Sequence, residues 1–511
     1  MQNEAVFTNE NVLLETNLGT KTENIETLIN LSGKDVSKIL SVSACLFVDG
    51  TEILLGEITY GGNLQLNVVY LTNAGNVENL QTSTPISSKY ENALLNLNSA
   101  VKIVPNIVSN EIENLSPENI KVKTLAELLF NQAQNQDINI YLGGQDNVFV
   151  NQSELPLSNF AGKNCTEFSE SINFESKTPI DSVVSVISSA IIKSAETLNN
   201  VVVLEGEIYA KIIAKTKDDP FKLITLSGFS SFKEEIEDGN VNSNQIINTT
   251  IKVNCPGVTT TLSEDFTSVD VFVPVKVCYN LYETKNVQIV TDAYSTTNEI
   301  ALTTAGFNST EILKSDIFNI KIDGNISLNE DLPRIDKVLA VDGEYITFTN
   351  VSHFNKELLI EGILHANILY LNDNNNNINS VNVEIPFSQK ENTDISGDNI
   401  SVCITALLYD VDAVVKRGRD VYIDAKMKVL ANFAKTTSNA IISNVEIGEE
   451  IESNTTSIEI YFAKEGQTMW DIAKDLKVSK ELLLKQNENL PEIMTGNEKV
   501  IFFNEKTINI D

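Results

Sequence analysis

A phrase of sequence recurs in this chain at long intervals. Residues 54–73, LLGEITYGGNLQLNVVYLTN, and residues 359–373, LIEGILHANILYLND, both open on an apolar pair and pass a glycine, Gly56 or Gly362. Both then end on Asn-apolar-apolar-Tyr-Leu, at Asn67–Leu71 and Asn367–Leu371. Residues 201–219, VVVLEGEIYAKIIAKTKDD, fit the same frame with Gly206 aligned and Ala214 in place of the tyrosine. A second phrase follows in each copy, with ENIKVKTLAELLF (118–130), TSVDVFVPVKVCY (267–279) and DNISVCITALLYD (398–410) as counterparts. The copies open near residues 37, 180 and 335. Repeats this long are whole domains, not turns of a solenoid. A length of 511 residues accommodates about three to four of them.

The recurring segments alternate apolar and polar residues, as in Val271, Val273, Val275 and Val277, and are rich in Val, Ile, Thr and Tyr. Such period-two patterning makes half-buried strands. TNAGNVEN, TKDDPFK and NDNNNNINS between them carry the Gly, Pro, Asp and Asn of turns. The expected fold is mainly β: three tandem antiparallel β-domains, sandwich- or barrel-like, then a small βααβ domain. Expected boundaries are 1–150, a divergent second repeat at 151–325, a third at 326–445, a linker at 446–456, and the last domain at 457–511. A short helical cap is expected around 124–134.

Composition excludes more than it assigns. Asp plus Glu number 70 against 37 Lys plus Arg, for a formal net charge of -33. Such a field repels nucleic acid and anionic lipid, and favours solubility and basic partners. The five cysteines, Cys45, Cys165, Cys255, Cys278 and Cys403, are far apart, include no CxxC pair, and read as unpaired in a reducing compartment. The N-terminus lacks a basic segment followed by an apolar one, so no signal peptide is read there, and no apolar run reaches the ~18 residues of a spanning helix.

Several apparent motifs fail on chemistry. DNNNNINSVNVE (373–384) puts Asp373, Asn375, Asn377 and Glu384 at calcium-loop positions, but Ile378 stands where a glycine must turn the chain. A hairpin loop is the expected reading. LSGKDVS (31–37) lacks the earlier glycine of a phosphate loop, and His353 and His365 accompany no nucleophile motif. No catalytic residue, metal ligand or cofactor is expected, and no enzyme.

The C-terminal segment reads differently. SIEIYF is a strand ending at the turn around Gly466. Thr468 can cap a helix with Asp471 three residues on, and Met469, Ile472, Ala473 and Leu476 form one apolar stripe. Ser479 can cap a second helix, with Val478 and Leu483 as its hydrophobic staple. NEKVIFF closes with a strand. The chain's single tryptophan, Trp470, follows the first cap and reads as a core anchor together with Ile472, Ala473, Leu476 and Leu483.

With Gly466, Gln467, Thr468, Met469, Trp470, Ile472, Ala473, Leu483, Asn487 and Gly496 in pattern, this segment resembles a LysM domain; Gln467 replaces the family's acidic residue. The resemblance implies a shallow groove for N-acetylglucosamine polymers or a protein, walled by Gly466, Gln467, Thr468 and Met469 on one side and by Asn489, Leu490, Pro491 and Ile493 on the other. Through segments such as LIEGILHANILYLNDNNNNINSVNVEIPFSQKEN, the repeats resemble the SPOCS domain. Together they resemble spore-coat morphogenetic proteins of the SipL/SpoVID class. That class implies a non-enzymatic scaffold of the mother-cell cytoplasm that collects on the forespore surface and spore coat. Its implied partners are the coat's basement-layer ATPase (SpoIVA-like) and other coat proteins. The alternative is a cell-wall-associated protein whose partner is peptidoglycan or its precursors.

Overall fold

A computed structural model describes residues 4–116, 118–219, 222–373, 377–452 and 458–503. The first repeat holds β1 (Val6–Asn30), β2 (Val36–Leu54), β3 (Glu57–Thr72), β4 (Val77–Glu91), β5 (Ala100–Ser116) and β6 (Asn119–Gly143). The second holds β7 (Val148–Glu175), β8 (Ile180–Leu198), β9 (Val201–Thr216), β10 (Leu223–Glu237) and β11 (Ile246–Val253), then a 3-10 turn at Cys255–Gly257, β12 (Thr259–Leu262) and β13 (Ser268–Ser295). The third holds β14 (Asn298–Ser327), β15 (Ile335–Phe354), β16 (Glu357–Asn372), β17 (Ile378–Asn392), β18 (Ile400–Arg417) and β19 (Asp420–Glu450). The C-terminal module is β20 (Ile458–Phe462), α1 (Met469–Leu476), α2 (Lys480–Gln486) and β21 (Lys499–Phe503). The chain is mainly β, as its alternation predicts.

Each repeat is a sandwich of two antiparallel sheets. One is a meander, β2-β3-β4, β8-β9-β10 or β15-β16-β17. The other is made when the repeat's first strand pairs with its last, β1 with β6, β7 with β13 and β14 with β19, and a further strand joins the last. Alternate residues of the central strands, such as Leu64, Leu66 and Val68 on β3, fill the core between the sheets.

The recurring glycine has a steric cause, and its alignment is corrected in the first repeat. Gly56 occupies the β2–β3 turn with φ 78, while Gly62 is the counterpart of Gly206 and Gly362. A Cβ on Gly62 would meet Phe47 O at 2.1 Å, on Gly206 Ile191 O at 2.4 Å, and on Gly362 Thr347 O at 2.7 Å. Each lies opposite a residue, Val48, Ile192 or Phe348, at which a bulge shifts the register of the preceding strand. A bulge pushes backbone toward its neighbour, and only a bare Cα leaves room for it.

Other expectations also change. Residues 124–134 lie within β6, with no helix; edge-to-edge pairing with β1 and β5 overrides their helix-forming Leu and Ala. Residues 398–410 enter β18, whereas 118–130 and 267–279 enter β6 and β13, so the third counterpart is 420–432 in β19. The boundary set at 325 falls inside β14, which pairs with β19 of the third repeat. Residues 446–450 of the expected linker belong to β19, and 453–457 lie outside the described residues. The tested calcium loop joins β16 to β17 as a hairpin, with Asn375 outside the described residues. Both histidines are strand residues, His365 stacked on Tyr345 and His353 bonded to Thr393 Oγ1 at 2.8 Å.

Folding also brings distant cysteines together. Cys165 on β7 stands directly opposite Cys278 on β13, and Cys45 on β2 reaches Cys255 in the 3-10 turn; both pairs are disulfide-bonded and Cys403 is free. The reading of five unpaired cysteines is overturned by these two pairings. Replacing Cys165 with Ser should lower stability by about 2–4 kcal/mol in a non-reducing melt and change little under reductant.

The repeats share buried surface. The carboxylate of Asp342 on β15 is fully buried and accepts hydrogen bonds from Ser41 Oγ of the first repeat and Ser185 Oγ of the second. Beside it, Lys211 on β9 pairs with Glu344 on β15 at 2.5 Å, both nearly without solvent contact. Leu40, Val69, Val184, Ile213, Ala340 and Leu369 pack around this junction from all three repeats. Removing one partner of a buried ion pair leaves a charge without compensation. Glu344→Gln is therefore expected to cost about 3–5 kcal/mol in denaturant unfolding, and Lys211→Met/Glu344→Leu to recover most of it.

Candidate functional site

The C-terminal module is built around short, well-capped helices. Thr468 Oγ1 accepts from the Asp471 amide at 3.3 Å, while the Asp471 carboxylate accepts from the Thr468 amide at 2.7 Å, the reciprocal cap read from sequence. Lys477 ends α1 in the left-handed region with φ 55, and the side chain of Ser479 caps α2. Asn487 ties α2 to β21, donating to Ile501 O at 2.7 Å and accepting from the Ile501 amide at 2.9 Å. Trp470, Ile472, Ala473, Leu476, Val478 and Leu483 are buried together with Val500 and Phe502.

Part of the expected groove wall comes together, Gly466, Gln467 and Thr468 from one side and Ile493 from the other. The segments around Gly466–Thr468 and Ile493–Met494 bond to each other, Gly466 N to Met494 O at 2.9 Å and Met494 N to Gln467 O at 2.8 Å, with Thr468 and Ile493 bridged antiparallel. Their side chains are not equally available. Met469 is buried in the core and offers nothing to a ligand. Gln467 is engaged within the module, accepting from the Lys464 amide at 2.8 Å and donating to Tyr461 Oη at 2.9 Å. Leu490 is half-buried, while Gly466, Asn489, Pro491 and Ile493 are exposed.

Sequence reasoning missed a larger surface beside these loops. Residues 458–462 and 499–503 form a two-stranded sheet whose Val500 and Phe502 face the helices. By alternation the opposite face carries Ile458, Ile460 and Phe462, 56 %, 53 % and 67 % exposed, across from Phe503, Ile501 and Lys499. Nothing among the described residues covers it. The signal was present in "SIEIYF" and "KVIFF": apolar residues occur at both parities, so one face must be outside.

Trp470 has a role beyond the module's core. Its indole N–H donates to Asp292 Oδ2 at 2.8 Å, and Lys474 Nζ bonds Asp292 Oδ1 at 2.6 Å. Asp292 belongs to β13 of the second repeat. Two residues on, Tyr294 packs edge-on against Trp470 at 4.9 Å and donates to Val478 O at 2.8 Å. The module is thus latched to the end of β13, a contact no local pattern encodes.

Burial alone would raise the Asp292 carboxyl, but the bonds from Lys474 and Trp470 hold it below its ordinary 3.8. A depressed carboxylate contributes stability above its unfolded value and loses it as pH falls through the lower folded one. The latch is therefore intact at neutral pH and released only in acid. Asp292→Asn should weaken the contact by about 1–2 kcal/mol, allowing for solvent screening of this half-exposed pair. The single tryptophan reports it: its emission should shift to the red and its quenching by iodide should increase.

Residues 334–416 match the family described as SipL, SPOCS domain. The match begins just before β15 and ends within β18, so it takes in the meander of the third repeat and the strand after it. The long pair β14–β19 lies outside it. This SPOCS segment associates the chain with sporulation and the spore coat. No curated protein and no solved structure matches the chain. No helix among the described residues is long and apolar enough to cross a membrane.

Proposed function

We propose that this protein is a non-enzymatic scaffold of spore-coat assembly that docks on the forespore surface through its C-terminal module. Its partner there is a basement-layer protein of the coat, of the SpoIVA-like ATPase kind, with further coat proteins held by the repeats. The site of action is the forespore surface facing the mother-cell cytoplasm. The SPOCS match in the third repeat supports the spore-coat setting.

The observation that carries the docking role is the bare apolar sheet face of Ile458, Ile460, Phe462, Ile501 and Phe503. Contiguous apolar surface of this kind on a charged protein marks a contact site, with Ile460 and Ile501 paired at its centre and Phe462 and Phe503 at opposite ends. The module also escapes most of the chain's charge: residues 458–503 hold six lysines against eight carboxylates, in a protein of net charge -33. A near-neutral apolar platform approaches a partner without the repulsion the repeats would impose.

The test is a binding measurement between the full chain and the purified basement-layer ATPase. Ile460→Ser/Phe462→Ser removes exposed side chains and should leave the melt unchanged while weakening binding at least tenfold, about 1.4 kcal/mol or more. A fluorescent fusion of the same variant should stay diffuse through sporulation. Unchanged binding and recruitment would sink this reading. Co-sedimentation with purified peptidoglycan that depends on Asn489 and Ile493 would replace it with a glycan-binding one.

A further inference from the structure

Equivalent registers of the three repeats converge on one chamber of about 520 Å³ that is partly open to solvent. On the last strand of each repeat, an asparagine stands at the same distance from the strand's start: Asn131 on β6, Asn280 on β13 and Asn432 on β19. All three line the chamber. Across from them in the neighbouring strands stand Lys102, Asn248 and Cys403. The repeat itself thus lays down a polar ring, and divergence between copies has equipped it unevenly.

The unevenness is mostly cationic, in a chain with nearly twice as many acids as bases. Lys102, Lys252, Lys276 and Lys163 line the chamber against Glu15 and Asp49. Lys276 is neutralised by Asp49 and by Glu167 at 3.1 Å. Lys252 reaches only carbonyl oxygens, Ile103 O at 2.9 Å being the nearer. Among the described residues, neither Lys102 nor Lys252 has a carboxylate at ion-pair distance.

Burial, then repulsion from Lys102, pushes the Lys252 ammonium down to about 8. Lys252 keeps some accessible surface despite its depth because it faces the chamber. Glu15 is pushed the other way, its burial outweighing the Tyr282 hydrogen bond and Lys102, which favours the neutral acid. Two like charges held near each other in a low-dielectric wall repel unless something stands between them.

We propose that this chamber binds a small multivalent oxyanion, gripped between Lys102 and Lys252 with the asparagine ring as neutral donors. A dianion compensates both ammonium groups at once, which a neutral or cationic ligand cannot do. The volume suits a small metabolite-sized anion and its first waters. Exposed Lys163 and Asp49 mark where the chamber meets solvent.

Titration calorimetry of the full chain, with inorganic phosphate and citrate as probes and chloride at matched ionic strength, tests this. Saturable one-site binding is expected for at least one probe; which one distinguishes a phosphate from a polycarboxylate ligand. Lys102→Gln should weaken it at least tenfold, Lys102→Arg should retain it, and Lys163→Gln at the exposed rim should weaken it about two- to threefold. Lys252→Gln, which also leaves carbonyls unpaired, is read only if its melt matches the parent. Heats indistinguishable from chloride for both probes overturn the proposal, as does binding that Lys102→Gln leaves intact.

Discussion

Each repeat is closed by the pairing of its first strand with its last, and the remaining architecture follows from that closure. β1 meets β6, β7 meets β13, and β14 meets β19 along nearly their whole lengths. Bringing such distant segments together costs loop-closure entropy, but the cost grows only logarithmically with length, whereas each added residue pair contributes another ladder bond. The paired strands are longer than the meanders they cover, so they overhang their own sandwiches as two-stranded ribbons. An isolated ribbon is marginal in water. Here the ribbons bury one face against each other, with Val12, Ile140, Leu157, Val287, Phe307 and Ile441 meeting from all three repeats. The three asparagines lie just short of this overhang, where a third strand still pairs, and the overhang itself ends β13 beneath the C-terminal module.

Much of this was legible locally. Alternation announced the strands, and the recurring phrases announced three copies. Cap chemistry at Thr468/Asp471 and Ser479 located both helices, because caps are made by residues three apart. What remained hidden was set by partners far away in sequence. Leu125, Leu128 and Leu129 read as helical by composition, yet their neighbours on β1 and β5 make them strand. Gly56 and Gly62 both fit the phrase, and only the bulge on β2 shows which one needs a bare Cα. The cysteines are 210 and 113 residues apart in their pairs. Register brings Cys165 to Cys278, and packing of one repeat against the next brings Cys45 to Cys255; no spacing rule reports either.

Trp470 illustrates how a local reading understates a residue. As a core anchor it would need only apolar neighbours, and its indole N–H would be a liability. A buried N–H must find an acceptor, and the structure supplies one from another domain, Asp292. Lys474 then lies one helical turn from Trp470 on the same face and reaches the same carboxylate. The pair fixes which side of the module faces the repeats, and by exclusion which side faces out. The outward side is the apolar sheet.

Charge decides what that outward sheet can meet. Two copies of this chain could in principle join through the exposed edges of β20 and β21, since unpaired strand edges template further pairing. Each copy, however, brings the -33 of the whole chain toward the other. Screening over roughly 8 Å at physiological salt softens that repulsion at the module but not between repeats pressed alongside it. Lys499 beside Phe462, with its ammonium 5.6 Å from the ring, adds a positive point at the sheet's margin. A partner with its own apolar patch and a less acidic surround meets the sheet without opposition. The bulk of the acidity, carried by the repeats, opposes the close approach of a second copy.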